Sequence, residues 1–170
     1  MNDDDTMLDA LELLMDQHAE VEALIEQVED ADDADTKAEL FRELADKLAA
    51  HSAIEEKIFY PAVMVDKTRE QLVEATEEHL SVKRLLADML TLDVADEHFD
   101  AKLTVLKEQI RHHAHDEEEG HLFPLVRKLC SRDELAAIGN ELLAMFDKLI
   151  TREPRRNVPS ETSHAAPLPA

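Results

Sequence analysis

The sequence contains little of what turns, disulfides and β-sheets require. Its 170 residues include 2 Gly, 6 Pro, 1 Cys and no Trp, and only 4% are aromatic. This composition excludes a β-sandwich, a Gly-rich nucleotide-binding loop and a collagen-like chain. The lone Cys130 excludes an intramolecular disulfide framework and a Cys-rich zinc or iron–sulfur site, and it fits a reducing cytoplasm.

Basic charge and long apolar runs are also scarce. The chain has 18 Lys and Arg against 40 Asp and Glu, for a formal net charge of −22. Because Lys and Arg contacts to phosphates supply most nucleic-acid affinity, we expect no nucleic-acid partner and no anionic membrane surface. No apolar run approaches transmembrane length, and the beginning Met-Asn-Asp-Asp-Asp does not resemble a signal peptide. We expect a cytoplasmic protein that is a monomer or a weak homodimer.

Ala, Leu, Glu, Asp and Lys are abundant, and the apolar residues recur with a helical period, which predicts an all-α protein. Four long helices with short connections favour an up-down-up-down four-helix bundle with an additional C-terminal helix. Thr36, Thr68 and Ser131 each begin a Ser/Thr-x-x-Glu/Gln capping box, and Pro124 predicts a kink. The predicted helices span about 7–29, 36–61, 68–90, 103–129 and 131–150. The bundle with its fifth helix is assigned to 1–150, and the Pro-rich segment 151–170 is predicted to be a disordered tail.

Polar side chains interrupt the apolar stripes of the four long helices. On the second helix a His and a Glu four residues apart replace two core positions, and the fourth helix repeats this step. The first and third helices each place one His on the inward face. The inward polar side chains are His18, His51, Glu55, His79, His113 and Glu117. Burying them without partners would be costly, so they predict a site for transition-metal ions.

The two halves of the chain repeat this arrangement. The inward His residues are 33 apart in the first half and 34 apart in the second. Residues 55–61, EEKIFYP, resemble residues 118–124, EEGHLFP. Two copies of one helical hairpin, related by an approximate twofold, would bring four His and two carboxylates to one point, which suits a pair of bridged ions.

The carboxylate of the fourth helix is left open between two residues. Counting four residues on from His113 selects Glu117, whereas counting back six residues from Pro124 selects Glu118. A single π-bulge would absorb the extra residue, and such bulges favour functional sites.

The remaining polar and aromatic candidates are assigned supporting roles. His112, His115 and His121 lie off the inward stripe, so we expect them to be solvated or to support the ligands from outside. Tyr60 is assigned to surface or interface packing rather than to a position over the pocket.

These motifs resemble those of the hemerythrin-like proteins, also called HHE cation-binding domains, over about residues 7–150. The matching segments are Asp-Gln-His18, His51-Ser-Ala-Ile-Glu55, Glu-Glu-His79 and His112-His113 with the Glu-Glu-Glu-Gly-His-Leu-Phe-Pro that follows. The resemblance implies a non-haem centre of two iron ions, oxo- or hydroxo-bridged. It implies that the ligands are His18, His51, Glu55, His79, His113 and a helix-four carboxylate. It favours Glu118, because oxygen-carrying hemerythrins use a five-residue step here.

The resemblance also implies a function, which is to bind or react with dioxygen, hydrogen peroxide or nitric oxide at an open iron position. The alternative is an iron- or oxygen-sensing or storage module without turnover. A third possibility, a metal-free or zinc-loaded helical interaction protein, is disfavoured by the inward ligand set. Oxygen carriers have a second His four residues after the third-helix His, where this sequence has Lys83. We therefore expect an additional exchangeable position, and peroxide turnover rather than reversible oxygen carriage.

Overall fold

The computed structural model describes residues 8–170. Met7, at the beginning of the predicted first helix, and the rest of residues 1–7 of the predicted domain lie outside the described residues. The elements are α1 Ala10–Asp30, α2 Ala34–Ile54, a first π-helical segment Glu55–Phe59, α3 Tyr60–Val63, α4 Arg69–Met89, α5 Glu97–Arg111, a second π-helical segment His112–Leu122, α6 Phe123–Leu129, α7 Arg132–Ile150 and a 3-10 helix Pro154–Glu161. No strand occurs within residues 8–170, which confirms the all-α prediction. No helix in this range is both long and apolar enough to span a bilayer.

Side-chain caps explain where several of the helices begin. Ser131 and Glu134 form the predicted capping box before α7. At α2, Asp33 rather than Thr36 is the cap: its carboxylate accepts hydrogen bonds from the Thr36 N–H at 2.8 Å and hydroxyl at 2.7 Å. The helix therefore begins earlier than predicted. Thr68 precedes α4, but its side chain makes no cap hydrogen bond.

The fourth predicted helix is longer than expected and is built of three parts. It begins at Glu97 rather than near 103, because the Asp96 side chain caps it by accepting a hydrogen bond from the His98 N–H at 2.8 Å. It continues through the second π-helical segment into α6. Pro124 lies in the first turn of α6, where the missing proline N–H is best tolerated.

The four long helices α1, α2, α4 and α5 form a closed ring. Packing contacts join α1 to α2, α2 to α4, α4 to α5 and α5 to α1. The connections at 31–33, 64–68 and 90–96 are short, which makes neighbouring helices antiparallel. The up-down-up-down prediction is confirmed, and α7 packs against α1 and α2 as the additional helix.

Helix α7 closely approaches the beginning of α1 at Gly139. A Cβ atom built there would lie 2.8 Å from the carbonyl oxygen of Leu8 and 2.9 Å from the backbone nitrogen of Ala10. Backbone atoms cannot turn away as a side chain can, so this approach requires glycine. Leu135 and Leu142 of the same helix are buried, and α7 thereby closes one end of the core.

The core consists of two apolar clusters with a polar layer between them. On α1, Leu14 belongs to one cluster and Val21 to the other, and His18 lies between them. On α2, Leu48 and Ile54 flank His51 in the same way. The layer is enclosed at both ends by apolar side chains, which isolates its polar groups from solvent.

Residues 151–170 differ from the disordered tail that their composition predicts. The 3-10 helix packs against α2 and α4, and its Val158 is 2% exposed. The Arg155 guanidinium donates to the Asp46 carboxylate at 2.7 Å. A few contacts with partners far away in the chain hold this segment, and composition does not record them.

Candidate metal centre

The second π-helical segment lies in the fourth predicted helix, between α5 and α6, and it determines which carboxylate of that helix faces inward. In a π-helix the backbone hydrogen bonds join residues five apart, so side chains five apart share a face. Glu118 therefore shares the face of His113 and is 1% exposed. Glu117 points outward, with its side chain 29% exposed and a carboxylate oxygen 3.7 Å from His112 Nε2.

The first π-helical segment places Tyr60 on the same face as Glu55 in the second predicted helix. The backbone N–H of Tyr60 donates to the carbonyl of Glu55, five residues earlier. Both side chains are fully buried, at 0% exposure. The sequence predicts a single π-bulge, on the fourth predicted helix. The structure has the longer second π-helical segment there, and it also has the first π-helical segment, which the sequence did not predict.

The structure brings six of the seven predicted ligands together in two overlapping groups. The first group is His18, His51, Glu55 and Glu118, and the second is Glu55, His79 and His113. Within each group the ligand atoms lie within 4.8 Å of one another, and every residue is buried. Glu117 belongs to neither group.

The four imidazoles form two pairs, His18 with His51 and His79 with His113. Each buried carboxylate presents one oxygen to each pair. The distances are 3.0 Å for Glu55 Oε1 to His51 Nε2, 3.0 Å for Glu55 Oε2 to His79 Nε2, 3.1 Å for Glu118 Oε2 to His18 Nε2 and 3.4 Å for Glu118 Oε1 to His113 Nε2. Carboxylates placed in this way can bridge two cations, one beside each imidazole pair.

Four buried atoms of the first group face one another in pairs 3.0 and 3.1 Å apart, yet none makes a hydrogen bond of acceptable geometry within residues 8–170. They are His18 Nε2, His51 Nε2, Glu55 Oε1 and Glu118 Oε2. Each unsatisfied buried polar group costs about 1–3 kcal/mol. A cation bound among them would satisfy all four atoms at once, so the residue set fits a metal ion.

Each imidazole is oriented through its other ring nitrogen. The Nδ1 atoms of His18, His51, His79 and His113 are hydrogen-bonded to Glu119, Gln17, Glu56 and Glu78, respectively. These bonds fix the rings and leave each Nε2 directed at the centre, which is how metal-ligating histidines are usually held. His115 contacts Glu119 at 2.7 Å and His112 contacts Glu78 at 3.2 Å, so both support the ligands from outside.

Protonation of His18 is linked to that of Glu118. Burial opposes a charge on His18, but the neighbouring carboxylates of Glu118 and Glu119 raise its pKa to about 9. Burial and the charge of Glu55 act to raise the pKa of Glu118, but His113 and His18 outweigh them and lower this pKa to about 2. A cation that binds here therefore meets an ionised carboxylate and must displace protons from imidazole.

Tyr60 is a site residue that the sequence interpretation missed. The prediction of surface or interface packing is wrong, because Tyr60 is 0% exposed and its hydroxyl donates to Glu118 Oε1 at 2.7 Å. The same hydroxyl lies 3.2 Å from His79 Nε2. Burial and the charges of Glu118 and Glu55 raise the pKa of Tyr60 well above its usual value. The available signal was the repeat, which aligns Tyr60 with Phe123, each five residues after a buried glutamate.

Lys83 lies outside the cluster of ligands. Its ammonium is 2.9 Å from Glu56 and 3.4 Å from Glu161. Glu56 in turn is hydrogen-bonded to His79 Nδ1 at 2.9 Å. Lys83 therefore acts on the centre through Glu56 and does not point into it.

A small cavity of about 30 Å³ adjoins the four imidazoles. Its remaining walls are Val21, Leu48, Ser52, Val82, Ile110 and Ala114. A water molecule needs about 10–15 Å³ of such volume, so the cavity holds about two water-sized particles. This space suits a diatomic molecule and is far smaller than the usual site for an organic substrate.

Comparisons with known proteins give the family. The model described as the Hemerythrin HHE cation binding domain matches residues 9–126. An uncharacterized hemerythrin-like protein of Schizosaccharomyces pombe is 28% identical over 120 residues, which are 69% of this chain and 59% of that protein. A DNA nickase of Nostoc sp. is 24% identical over 135 residues, which are 79% of this chain and 38% of that protein. The chain thus spans less than two thirds of the length of each relative.

A solved structure shows the same fold. The crystal structure of a hemerythrin HHE cation binding domain-containing protein from Mycobacterium kansasii has a TM-score of 0.78 and 22% sequence identity, and the match covers 90% of this chain and 98% of that chain. The region matched by the family model runs from Asp9 to Val126 and contains all six clustered side chains. The resemblance seen in the sequence is confirmed, and the chain belongs to the hemerythrin HHE cation-binding domain family.

Proposed function

We propose that this chain is a non-haem di-iron protein that binds or reacts with dioxygen, hydrogen peroxide or nitric oxide. One observation carries the proposal: Glu55 and Glu118 each face both imidazole pairs. One ion would use only part of this donor set, whereas two ions would use both oxygens of each carboxylate. Imidazole and carboxylate together suit iron, and carboxylate-bridged iron pairs are typical of helical bundles.

The proposed ligands are His18 and His51 for one iron, His79 and His113 for the other, and Glu55 and Glu118 for both. Glu117, which lies outside both groups, has no place in the proposal. Iron held there would supply one-electron redox chemistry and coordination positions that the protein leaves open.

The chain's own residues limit what reaches this point and hold a proton beside it. The cavity of about 30 Å³ has room for a molecule of two heavy atoms. Tyr60 holds its proton on the hydroxyl oxygen, because its pKa is raised well above the usual value, and it donates to Glu118 Oε1. The hydroxyl is placed to donate a hydrogen bond on the His79 side of the centre.

Reaction is favoured over reversible carriage by the equal supply of ligands on the two sides. Each side has two imidazoles, and Lys83 is turned toward Glu56 and Glu161. Oxygen carriers instead combine one saturated iron with one open iron. With neither side saturated, a small molecule would meet an exchangeable position on both.

The experiment is metal analysis of the purified full-length chain, followed by stopped-flow mixing of the reduced protein with oxygen and a peroxide assay of the ferric protein. We expect about two irons per chain, rapid oxidation by oxygen, and measurable decomposition of hydrogen peroxide. One metal per chain, or zinc in place of iron, would contradict the di-iron proposal. A long-lived oxygenated form that releases oxygen under vacuum, without peroxide turnover, would instead support storage.

Nucleic acid is not part of the proposal. The similarity to the DNA nickase covers 38% of that protein. The net charge of −22 also opposes the phosphate contacts that DNA binding requires.

A further inference from the structure

A second and much larger cavity, of about 660 Å³, lies between the C-terminal segment and the body of the bundle. Its inner wall includes Glu56, Lys57, Pro61 and Lys83, and residues from Ser160 to Pro169 form much of its outer wall. Ligand sites for organic molecules usually have volumes of about 300–1,000 Å³. This cavity is therefore of the right size for such a molecule, whereas the cavity beside the imidazoles is not.

The outer wall is fixed to the bundle by specific contacts. The carbonyl of Thr162 accepts a hydrogen bond from the Arg84 guanidinium at 2.9 Å, and the carbonyl of Pro169 accepts one from Arg69 at 3.3 Å. Leu168 packs against one of the apolar clusters. The segment is thus held at several points along its length, and the space behind it is a built feature of the fold.

The lining combines apolar side chains with balanced charge. The apolar part comes from prolines, Ala165, Ala166 and Leu168, the charged part is two lysines and two glutamates, and His164 and two serines supply further polar groups. The two positive and two negative side chains leave the lining without a net charge that would attract a charged ligand, and such a ligand would have to give up its hydration in a partly enclosed site. The net charge of −22 disfavours an anion further. An uncharged molecule avoids both costs.

Hydrogen-bonding capacity remains at one carboxylate of this lining. Lys83 is 2.9 Å from Glu56 but 3.4 Å from Glu161, so the contact with Glu161 is the looser one. The Glu161 side chain is 49% exposed and can accept a hydrogen bond from a hydroxyl group. Ser160 and Ser163 offer further hydroxyl groups on the same wall.

We infer that this cavity binds an uncharged, mainly apolar organic molecule that carries a hydroxyl group. The site is separate from the small cavity at the imidazoles and shares no lining residue with it. It is still close to the metal centre, because Glu56 lines it and is hydrogen-bonded to His79 Nδ1 at 2.9 Å. An organic ligand here therefore contacts the residue that orients one of the proposed iron ligands.

Equilibrium dialysis of the purified full-length chain against three probes of one shape tests this inference. The probes are 2-naphthol, which is uncharged, 2-naphthoate, an anion, and 2-naphthylmethylammonium, a cation. We expect saturable binding of one 2-naphthol per chain, about tenfold tighter than either charged probe, which corresponds to about 1.4 kcal/mol. Tighter binding of a charged probe, or no saturable binding of 2-naphthol, would overturn the inference.

Two variants place the probe in the cavity, and one control checks for non-specific effects. Ala166→Phe fills the cavity and should weaken 2-naphthol binding at least about tenfold. Ala137→Phe puts the same side chain at an exposed site on α7 and should leave binding unchanged. Lys57→Gln removes one positive charge without filling space, so it should weaken 2-naphthoate, strengthen the ammonium probe and leave 2-naphthol unaffected. If the Ala166→Phe chain has a wild-type circular dichroism spectrum and binds 2-naphthol with unchanged affinity, the inference is contradicted.

Metal content, measured in the same samples, separates this inference from the proposed function. A chain that contains about two irons but binds no 2-naphthol would refute the organic site alone. A chain that binds 2-naphthol but contains no iron would refute the di-iron proposal alone.

Discussion

Tyr60 and Phe123 occupy equivalent positions in the two halves of the bundle, each stacked on a histidine of the centre. The Tyr60 ring lies 5.5 Å from the His79 ring at an interplanar angle of 27°, and the Phe123 ring lies 6.1 Å from the His18 ring at 9°. At these positions the two halves therefore differ by one hydroxyl group. That difference makes the His79 side more polar than the His18 side.

Tyr60→Phe should make the two sides alike. We expect the iron content to stay at about two per chain, because the histidines and both glutamates remain. The visible spectrum of the ferric protein should change, because a hydroxyl 3.2 Å from His79 Nε2 is lost. The metal-stripped variant should unfold more easily by about 1–3 kcal/mol in urea, because Glu118 Oε1 loses its donor. Phe123→Tyr, which adds a hydroxyl at the equivalent position beside His18, is the matched control. An unchanged spectrum in Tyr60→Phe would rule out a role for the Tyr60 hydroxyl.

The two neighbouring carboxylates of the second π-helical segment should behave very differently. Glu118→Gln should lower the iron content and alter the spectrum, because its two oxygens face both imidazole pairs. Glu117→Gln should change neither, because its side chain is 29% exposed. Metal analysis and optical spectra of the two variants decide between them. The reverse pattern would show that the four-residue step, and not the π-helical register, sets the ligand.

Single ligand removal should cost metal and stability together. His51→Ala and His113→Ala each take one imidazole from a different pair, and each should lose at least one iron. The loss of stability of the iron-loaded protein should exceed that of the stripped protein, since metal binding contributes folding free energy. His98→Ala, at an exposed position, is the control. Either ligand variant with full iron content and wild-type stability would remove that residue from the centre.

Stability of the metal-stripped protein should depend on pH in a definite direction. Burial opposes charge on His18, yet Glu118 and Glu119 raise its folded pKa from 6.5 to about 9. The stabilising contribution is therefore complete below pH 6.5 and is lost as the pH rises through 9, and it amounts to about 3 kcal/mol. Urea midpoints of stripped protein should fall over that range. Iron-loaded protein should not follow this decline, because metal competes with protons for the imidazole; a stripped protein equally stable at both ends would contradict the assignment.

Periodicity was enough to predict the bundle and the inward histidines. The apolar stripe of each helix stops at His18, His51, His79 or His113, and such interruptions are visible in one sequence. The register of the second π-helical segment was not visible, because it depends on which backbone carbonyl accepts the hydrogen bond of each N–H. The sequence therefore left Glu117 and Glu118 as alternatives, separated only by how the residues are counted.

Tyr60 and the C-terminal segment show where sequence reasoning stops. An aromatic residue before a proline resembles core or surface packing, and nothing local marks its hydroxyl as a partner of Glu118, 58 residues later. A Pro-rich segment resembles a disordered tail, and nothing local pairs Arg155 with Asp46, 109 residues earlier. Both errors concern single contacts across the fold, which composition and periodicity do not encode.

Two of the four hydrogen bonds to the imidazole Nδ1 atoms cross between the first hairpin, α1 with α2 and its continuation, and the second hairpin, α4 with α5 and its continuation. Glu56 of the first hairpin orients His79 of the second, and Glu119 of the second orients His18 of the first. A chimera could join the first hairpin of one family member to the second hairpin of another at the 64–68 connection. In both hydrogen-bonded pairs, the histidine and the glutamate would then come from different parents. Recombination at this connection would keep both hydrogen bonds only when the two parents carry compatible residues at these four positions, so each hairpin depends on the other to orient one of its histidines.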